Sequence, residues 1–384
     1  MKRIWRFISG LFQMRLDTSK RIYGLDILRA LAILFVVIGH GIKILPPGNF
    51  VRNISMYLDF DGVSVFFVLS GFLIGGILIK IVENNKANFK TLWNFWLRRW
   101  LRTLPNYFFV LILLVFILPL LFTGNIEDSL WAKFKYALFI QNFYTEHPYF
   151  FPEAWSLSIE EWFYLLIPIF IFILIGLCKI KPKWSILIVS VSILCFVTFF
   201  RYYRFMDLPE LSKKEWDLLF RKQVITRLDS LMFGIIGSYL AFYFKATWVK
   251  HKKVLLVLGV LIFCLEKYMH HFMGHIGYGF YMSVFSFSVV SLATLMVIPF
   301  LSEYKTGRGY LFKVFTIISL ISYSMYLINL TVVQEYLLTL FPEDLKRLSY
   351  LRYLSFWAIV IYGSILMYKY VEQPFMRLRN RITK

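Results

Sequence analysis

Ten apolar runs, each close to the length needed to cross a bilayer, constrain this chain more than any motif does. They lie at roughly 25–45, 58–79, 103–123, 161–178, 184–200, 225–244, 253–269, 278–301, 312–340 and 353–371. About 20 apolar residues in helical form span a hydrocarbon core of about 30 Å. Barrel strands would alternate apolar and polar residues, and these runs do not. Hydrophobic residues make up 59% of the 384, and charged residues 17%. A soluble domain needs a surface with about 25% charge, which this chain cannot supply. The sequence therefore predicts an all-α polytopic membrane protein with about ten transmembrane helices.

The formal net charge of +21 would suggest nucleic acid as the partner of a soluble protein. Here the basic residues cluster between apolar runs, so lipid bilayer is the expected partner and nucleic acid is not. With an inside N-terminus, the inner segments carry 27 Lys and Arg and the outer loops 13. That bias predicts a multi-pass protein of the cytoplasmic (inner) membrane with both termini cytoplasmic. The exception is the third outer loop, 201–223. Its six basic residues face Asp207, Glu210, Glu215 and Asp217. It reads as a mixed-charge lid or as a misplaced span boundary. Residues 1–23 read as an amphipathic helix on the inner surface rather than a signal peptide. The membrane domain then covers 24–378 and a basic cytoplasmic tail 379–384. Cys178, Cys195 and Cys264 give neither a disulfide framework nor metal spacing.

"LRALAILFVVIGHG" places Arg29 and His40 in one lipid-embedded helix. Eleven residues turn about 1100°, within about 20° of three full turns, and rise about 16 Å. Both side chains share a stripe, with Asp26 beside it. Intramembrane charge usually faces a bundle interior or a wet cavity. The bland alternative is a surface Asp26–Arg29 ion pair, with His40 bonding a neighbouring helix.

Other motifs repeat the pattern. "NFWLRRWLRTLPNYFF" puts Arg98, Arg99 and Arg102 on one helical face. That face is either positive-inside anchoring or a phosphate clamp, since the planar guanidinium fork suits phosphate oxygens. In "EAWSLSIEEWFYLLIP", Ser158 and Glu161 have capping-box spacing. Glu160, with Tyr164 one turn on, lacks that role and is a candidate partner for His40. Arg227 and Asp229 in "VITRLDSLMFGIIGS" are i,i+2, so each needs a partner elsewhere. Gly62, Gly71, Gly75 and Gly76 of the second span permit close helix approach, expected beside the first span. "HHFMGH" supplies His270, His271 and His275 but no evident third ligand, so no metal site is expected.

Taken together these pieces resemble the acyltransferase 3 family of polytopic membrane O-acyltransferases. The resemblance rests on "GLDILRALAILFVVIGH", "GVSVFFVLSGFLIGG", "FWLRRWLRTLPNYF", "WSLSIEEWFYLL", "TRLDSLMFGIIG", "ISYSMYLIN" and "VEQPFMRL", in family order from residue 24 to 378. It implies about ten helices around a central acyl-CoA channel. It also implies transfer of an acyl group, usually acetyl, from cytosolic coenzyme A to an extracytoplasmic carbohydrate. By motif, His40 is the implied catalytic histidine, Glu160 the acid, and Arg29, Arg99 and Arg102 the donor-binding residues. Arg98 joins them from its place on the basic face. Asp26, Ser70, Trp155, Tyr164, Arg227, Asp229, Tyr323, Asn329 and Glu372 are structural or acceptor-site candidates. Two departures stand out. Asn329 occupies a place where relatives often carry histidine. Many relatives also carry a C-terminal hydrolase-like domain, so this chain is expected to transfer directly or through a separate partner.

The resulting expectation is an acetyl-CoA-dependent O-acetyltransferase with no permanently bound cofactor. The pantetheine arm would thread between spans one, two and three toward His40, which acts as general base or carries the acyl group. The acceptor would be O-antigen or another envelope glycan, lipid-linked or not. A transporter or flippase of a lipid-linked glycan is the rival class. It would be expected to show internal repeats and matched broken spans, and the sequence has neither. Nothing in the residue pattern selects an oligomeric state.

Overall fold

In a computed structural model of the chain, the described residues are 21–84, 87–122, 130–208, 210–276, 278–340 and 349–382. They form helices joined by short connections, with no strand among them. Ten helical segments are long and apolar enough to cross a membrane. Their main helices are α1 (Tyr23–Gly41), α2 (Gly62–Glu83), α3 (Phe89–Ile112), α4 (Ala154–Gly176), α5 (Pro182–Asp207), α6 (Val224–Tyr243), α7 (Lys252–Ile276), α8 (Ser286–Glu303), α9 (Gly309–Ile328) and α10 (Ser349–Met367). The all-α polytopic architecture is that expected from the apolar runs. The proposed surface helix at the N-terminus lies outside the described residues, apart from its last three.

The chain divides into two units. The first comprises residues 1–62, 97–127 and 305–384. In it α1 packs along α9, and α9 along α10. Small residues make this closeness possible: Ala30 and Ala32 are wholly buried. A Cβ on Gly62 would lie 2.2 Å from the Ala32 carbonyl, so the chain there passes backbone to backbone.

The second unit comprises residues 63–96 and 128–304. Here α6 packs against α4, α5 and α8, and α7 runs along α8. Two glycines interlock α2 with α6. A Cβ on Gly71 would meet the Leu231 carbonyl at 2.0 Å, and one on Gly234 the Val68 carbonyl at 2.1 Å. Gly75 approaches the Ser238 hydroxyl, whereas Gly76 meets nothing. Gly71 and Gly75 of α2 thus serve α6 rather than the first span. On α7, Val254, Val257, Leu261 and Leu265 are all exposed, as a lipid-facing helix requires.

Several boundaries differ from those read in the sequence. Helix α4 starts at Ala154, so Ser158 lies in its second turn and caps nothing. The Ser158 hydroxyl donates to the Ala154 carbonyl at 3.2 Å and accepts from Gln141 at 2.6 Å. The capping box is found instead at Ser212 and Glu215, opening the helix Lys213–Trp216. Helix α5 continues to Asp207. Arg201 and Arg204 therefore belong to a buried helix end, and the mixed-charge loop is shorter than 201–223. The three cysteines are exposed free thiols. His270 packs edge-on against Trp216, and the His275 side chain lies outside the described residues. Among the described residues no three His, Cys, Asp or Glu side chains gather as a metal site would require.

Candidate active site

In the first unit, α1 carries its polar stripe against α9. Asp26 is 4% exposed, so the pair expected on the surface is buried. Its carboxylate accepts from Arg21 and, at 2.8 Å, from the Ser319 hydroxyl. Arg29 Nη1 lies 3.5 Å from the same carboxylate and 3.4 Å from Ser319. Arg29 is thus braced at its base.

The second anchor of this cluster is Glu372, from the "VEQP" motif. It ends a widened π-helical stretch, Tyr368–Glu372, and is buried. Asn106 Nδ2 donates to it at 3.0 Å, and Ser324 also bonds it. The charges of Arg102 and Arg29 both act on Glu372. Those of Arg98 and Arg102 act on Arg379. Arg102 thus acts on both groups, with Arg29 acting on Glu372 and Arg98 on Arg379. Arg99 is half-buried, and its carbonyl accepts from Thr103. Tyr323 donates to the Thr103 carbonyl at 2.9 Å and ties α9 to α3, a structural role.

His40 sits in the last turn of α1, about 16 Å along the helix from Arg29. Its Nδ1 lies 2.5 Å from Asn329 Oδ1. Asn329 is fully buried where α9 passes into a π-helical stretch, Asn329–Tyr336. Its Nδ2 donates to the Met325 carbonyl at 2.9 Å and the Tyr326 carbonyl at 2.8 Å. Those two bonds fix which way the amide points, leaving Oδ1 toward His40 as an acceptor. An acceptor there requires the proton on Nδ1. The neutral ring then carries its lone pair on Nε2, the nitrogen a base or nucleophile uses. Asn329 thus joins the end of α1 to α9 through the His40 ring.

In the second unit, Glu160 accepts from the Ser70 hydroxyl at 2.7 Å and from Tyr164 at 3.3 Å. The sequence offered His40 as its partner. Within this unit Ser70 and Tyr164 hold Glu160. Tyr164 is held in turn, its carbonyl accepting from Trp96 Nε1 at 3.0 Å. Arg227 and Asp229 find separate partners across helices, as their spacing demands. Arg227 donates to Ser64 at 2.6 Å and lies 4.2 Å over the Phe287 ring. Asp229 accepts from Arg201 and from Ser288, each at 2.8 Å. Arg201, Arg204 and Phe287 were missed in the sequence, because they fell in an assumed loop or an unmarked apolar run. Trp155 packs perpendicular to Phe67 at 6.0 Å, with the Arg221 guanidinium 5.1 Å over its ring.

Two groups in the connecting segments of this unit have displaced titrations. Burial holds His147 down to about 4, so it stays neutral near pH 7. Burial alone would raise Asp217. Arg221 and Lys222 beside it prevail and hold its carboxyl below the usual range.

The sequence matches the acyltransferase domain family over residues 22–369. A Staphylococcus aureus (strain COL) protein named "Putative O-acetyltransferase" is 27% identical over 378 residues, covering 92% of this chain and 57% of that protein. The peptidoglycan O-acetyltransferase OatA of Listeria monocytogenes is 32% identical over 186 residues, 45% of this chain and 27% of its own. This chain thus spans a little over half the length of the Staphylococcus relative. No solved structure matches it.

Proposed function

This chain belongs to the acyltransferase family matched over residues 22–369, and from that premise we propose that it is a membrane O-acetyltransferase. In this reading acetyl-CoA is the donor and a carbohydrate hydroxyl on the far side of the membrane is the acceptor. The observation that carries it is the fixed tautomer of His40, about 16 Å up one continuous helix from the arginine cluster.

The arginines supply what the donor's phosphates need, forked donors beside a helix stripe. An extended pantetheine arm is comparable in length with the rise from Arg29 to His40. Chemistry at its end is acyl transfer. His40 Nε2 takes the proton of the acceptor hydroxyl, and the oxygen attacks the acetyl carbonyl carbon. The C–S bond breaks, and the coenzyme A thiolate leaves and takes up a proton. Glu160, held by Ser70 and Tyr164, serves the acceptor in this scheme. The Lys and Arg bias supports cytoplasmic termini, which puts the arginines on the side where coenzyme A is made. The name of the Listeria relative makes peptidoglycan the first acceptor to try, ahead of O-antigen and other envelope glycans.

The test is coenzyme A release from acetyl-CoA by purified full-length chain, wild type beside His40→Ala and Arg29→Ala. Turnover should vanish with His40→Ala, and the KM for acetyl-CoA should rise with Arg29→Ala. Full activity of His40→Ala would overturn the mechanism. Absent donor binding by the wild type would favour a glycan flippase instead.

A further inference from the structure

Arginines and aromatic rings of the second unit form one continuous column that the acetyl-transfer chemistry does not use. Arg221 lies 5.1 Å over Trp155, and Trp155 packs on Phe67. Arg227 lies 5.6 Å over Phe67 and 4.2 Å over Phe287. Arg201 lies 5.5 Å over Phe287 from its own side. The column opens at Arg221 and Lys222, whose side chains are 29% and 20% exposed, and ends at Arg201, which is wholly buried.

Four cations meet in this short space. Asp217 pairs with Arg221 and Lys222, at 2.8 and 2.6 Å, and Asp229 pairs with Arg201. Yet Arg201 Nε and Nη1, both buried, have no hydrogen-bond partner among the described residues. A buried guanidinium rarely leaves donors unused, because each costs its desolvation. Those buried N–H groups, and the cations at the partly exposed end of the column, suit a group that accepts hydrogen bonds and carries negative charge. Planar arginine forks suit carboxylate and phosphate alike. The column is also tied to the candidate acceptor acid. Arg227 is held by Ser64, and Ser70, which bonds Glu160, lies six residues along the same helix, about 9 Å away.

We propose that this column is the acceptor-recognition site and that it selects a saccharide bearing a carboxylate or phosphate. The proposal rests on the acyltransferase reading, since it assigns the acceptor of that reaction. Its two sources are a carboxylated sugar and a sugar linked through phosphate to lipid.

The experiment is equilibrium binding of three ligands to purified full-length chain: di-N-acetylchitobiose, its aldonic acid and its 1-phosphate. They share one sugar and differ at the charged end. One or both charged forms should bind at least about tenfold more tightly than the neutral disaccharide, as charge-assisted bonds allow. The tighter of the two names the source. Arg221→Gln with Lys222→Gln should reduce that preference to under about threefold, and Arg221→Lys should retain most of it. Asp217→Asn should widen it, which a merely structural ion pair would not do. Equal affinity for all three, binding of none, or a preference unchanged in the double variant would overturn the proposal. Coenzyme A release by the wild type is measured on the same preparation. Release with flat binding removes only the acceptor assignment. Loss of both donor turnover and donor binding removes the acyltransferase reading itself.

Discussion

Asn329→Leu isolates the device that sets His40. Leucine matches the size of the amide and offers no acceptor. The His40 Nδ1, now 2.5 Å from Oδ1, loses the acceptor for its proton. A donor left without its partner costs about 1–3 kcal/mol. Spent on ring orientation and tautomer, that corresponds to a fall of roughly 5- to 150-fold in kcat. The KM for acetyl-CoA should stay within about twofold, because Arg29 lies about 16 Å away along α1. The same change strips the side-chain bonds from the Met325 and Tyr326 carbonyls, so some stability is lost as well. Asn329→Asp separates the two effects. It keeps an acceptor toward His40 but lacks the donors, so it should share the stability loss and retain more turnover. The assay is coenzyme A release at saturating acetyl-CoA, beside an unfolding midpoint for each variant. If Asn329→Leu kept kcat within about twofold of wild type, the tautomer argument would fail.

Arg102→Gln should raise the KM for acetyl-CoA by roughly tenfold with a smaller change in kcat, as loss of one charged phosphate contact predicts. Wild-type KM should rise with ionic strength, and the variant's rise should be shallower. His147 gives a pH signature. Its folded pKa of about 4 lies below the ordinary 6.5, so below pH 6.5 the unfolded chain takes up a proton that the folded one refuses. Its contribution is whole above pH 6.5 and is lost as pH falls toward 4, by roughly 3 kcal/mol in all. His147→Gln should flatten that part of the stability profile, and an unchanged slope would refute the assignment. Gly234→Leu should abolish a folded α2–α6 pair, because even a Cβ there meets the Val68 carbonyl at 2.1 Å. Size-exclusion and protease resistance of the detergent-purified variant would show it.

The spans were legible because lipid demands apolar helices and little else. Their ends were not, for a physical reason. Ser158 reads as a helix cap and Arg201 and Arg204 as loop residues, yet each finds a partner inside a helix: Ser158 in Gln141, Arg201 in Asp229, and Arg204 in Gln223 and the Leu219 carbonyl. Polarity marks a helix end only when no partner waits for it. The Arg29–His40 stripe was legible from periodicity. What His40 bonds was not, because Asn329 is 289 residues away and turned by a local widening of its helix. Widened π turns also hold Glu372 and the Asp217–Arg221 pair. Such turns leave no periodic signature, though they recur where function is built. The sequence grouped four arginines, Arg29, Arg98, Arg99 and Arg102, and left Glu372 among the structural or acceptor-site candidates. In the structure Arg102 and Arg29 act on it.

Helix α2 shows how one rigid element can serve both recognition and chemistry. Ser64 and Gly71 are seven residues apart, about 20° from a shared face, and that face meets α6. There Ser64 holds Arg227, and Gly71 lets the backbone reach Leu231. Ser70 is one residue back, about 100° around, and turns to Glu160 of α4 instead. The glycine contact therefore fixes both the depth and the rotation of α2, and with them the relation between Arg227 and Glu160. A helix held only by side chains could slide or turn by fractions of an ångström. One held by backbone against backbone cannot do so without a clash. Substitution at Gly71 should consequently disturb anion recognition and turnover together, whereas changes at the exposed end of the column should touch recognition alone.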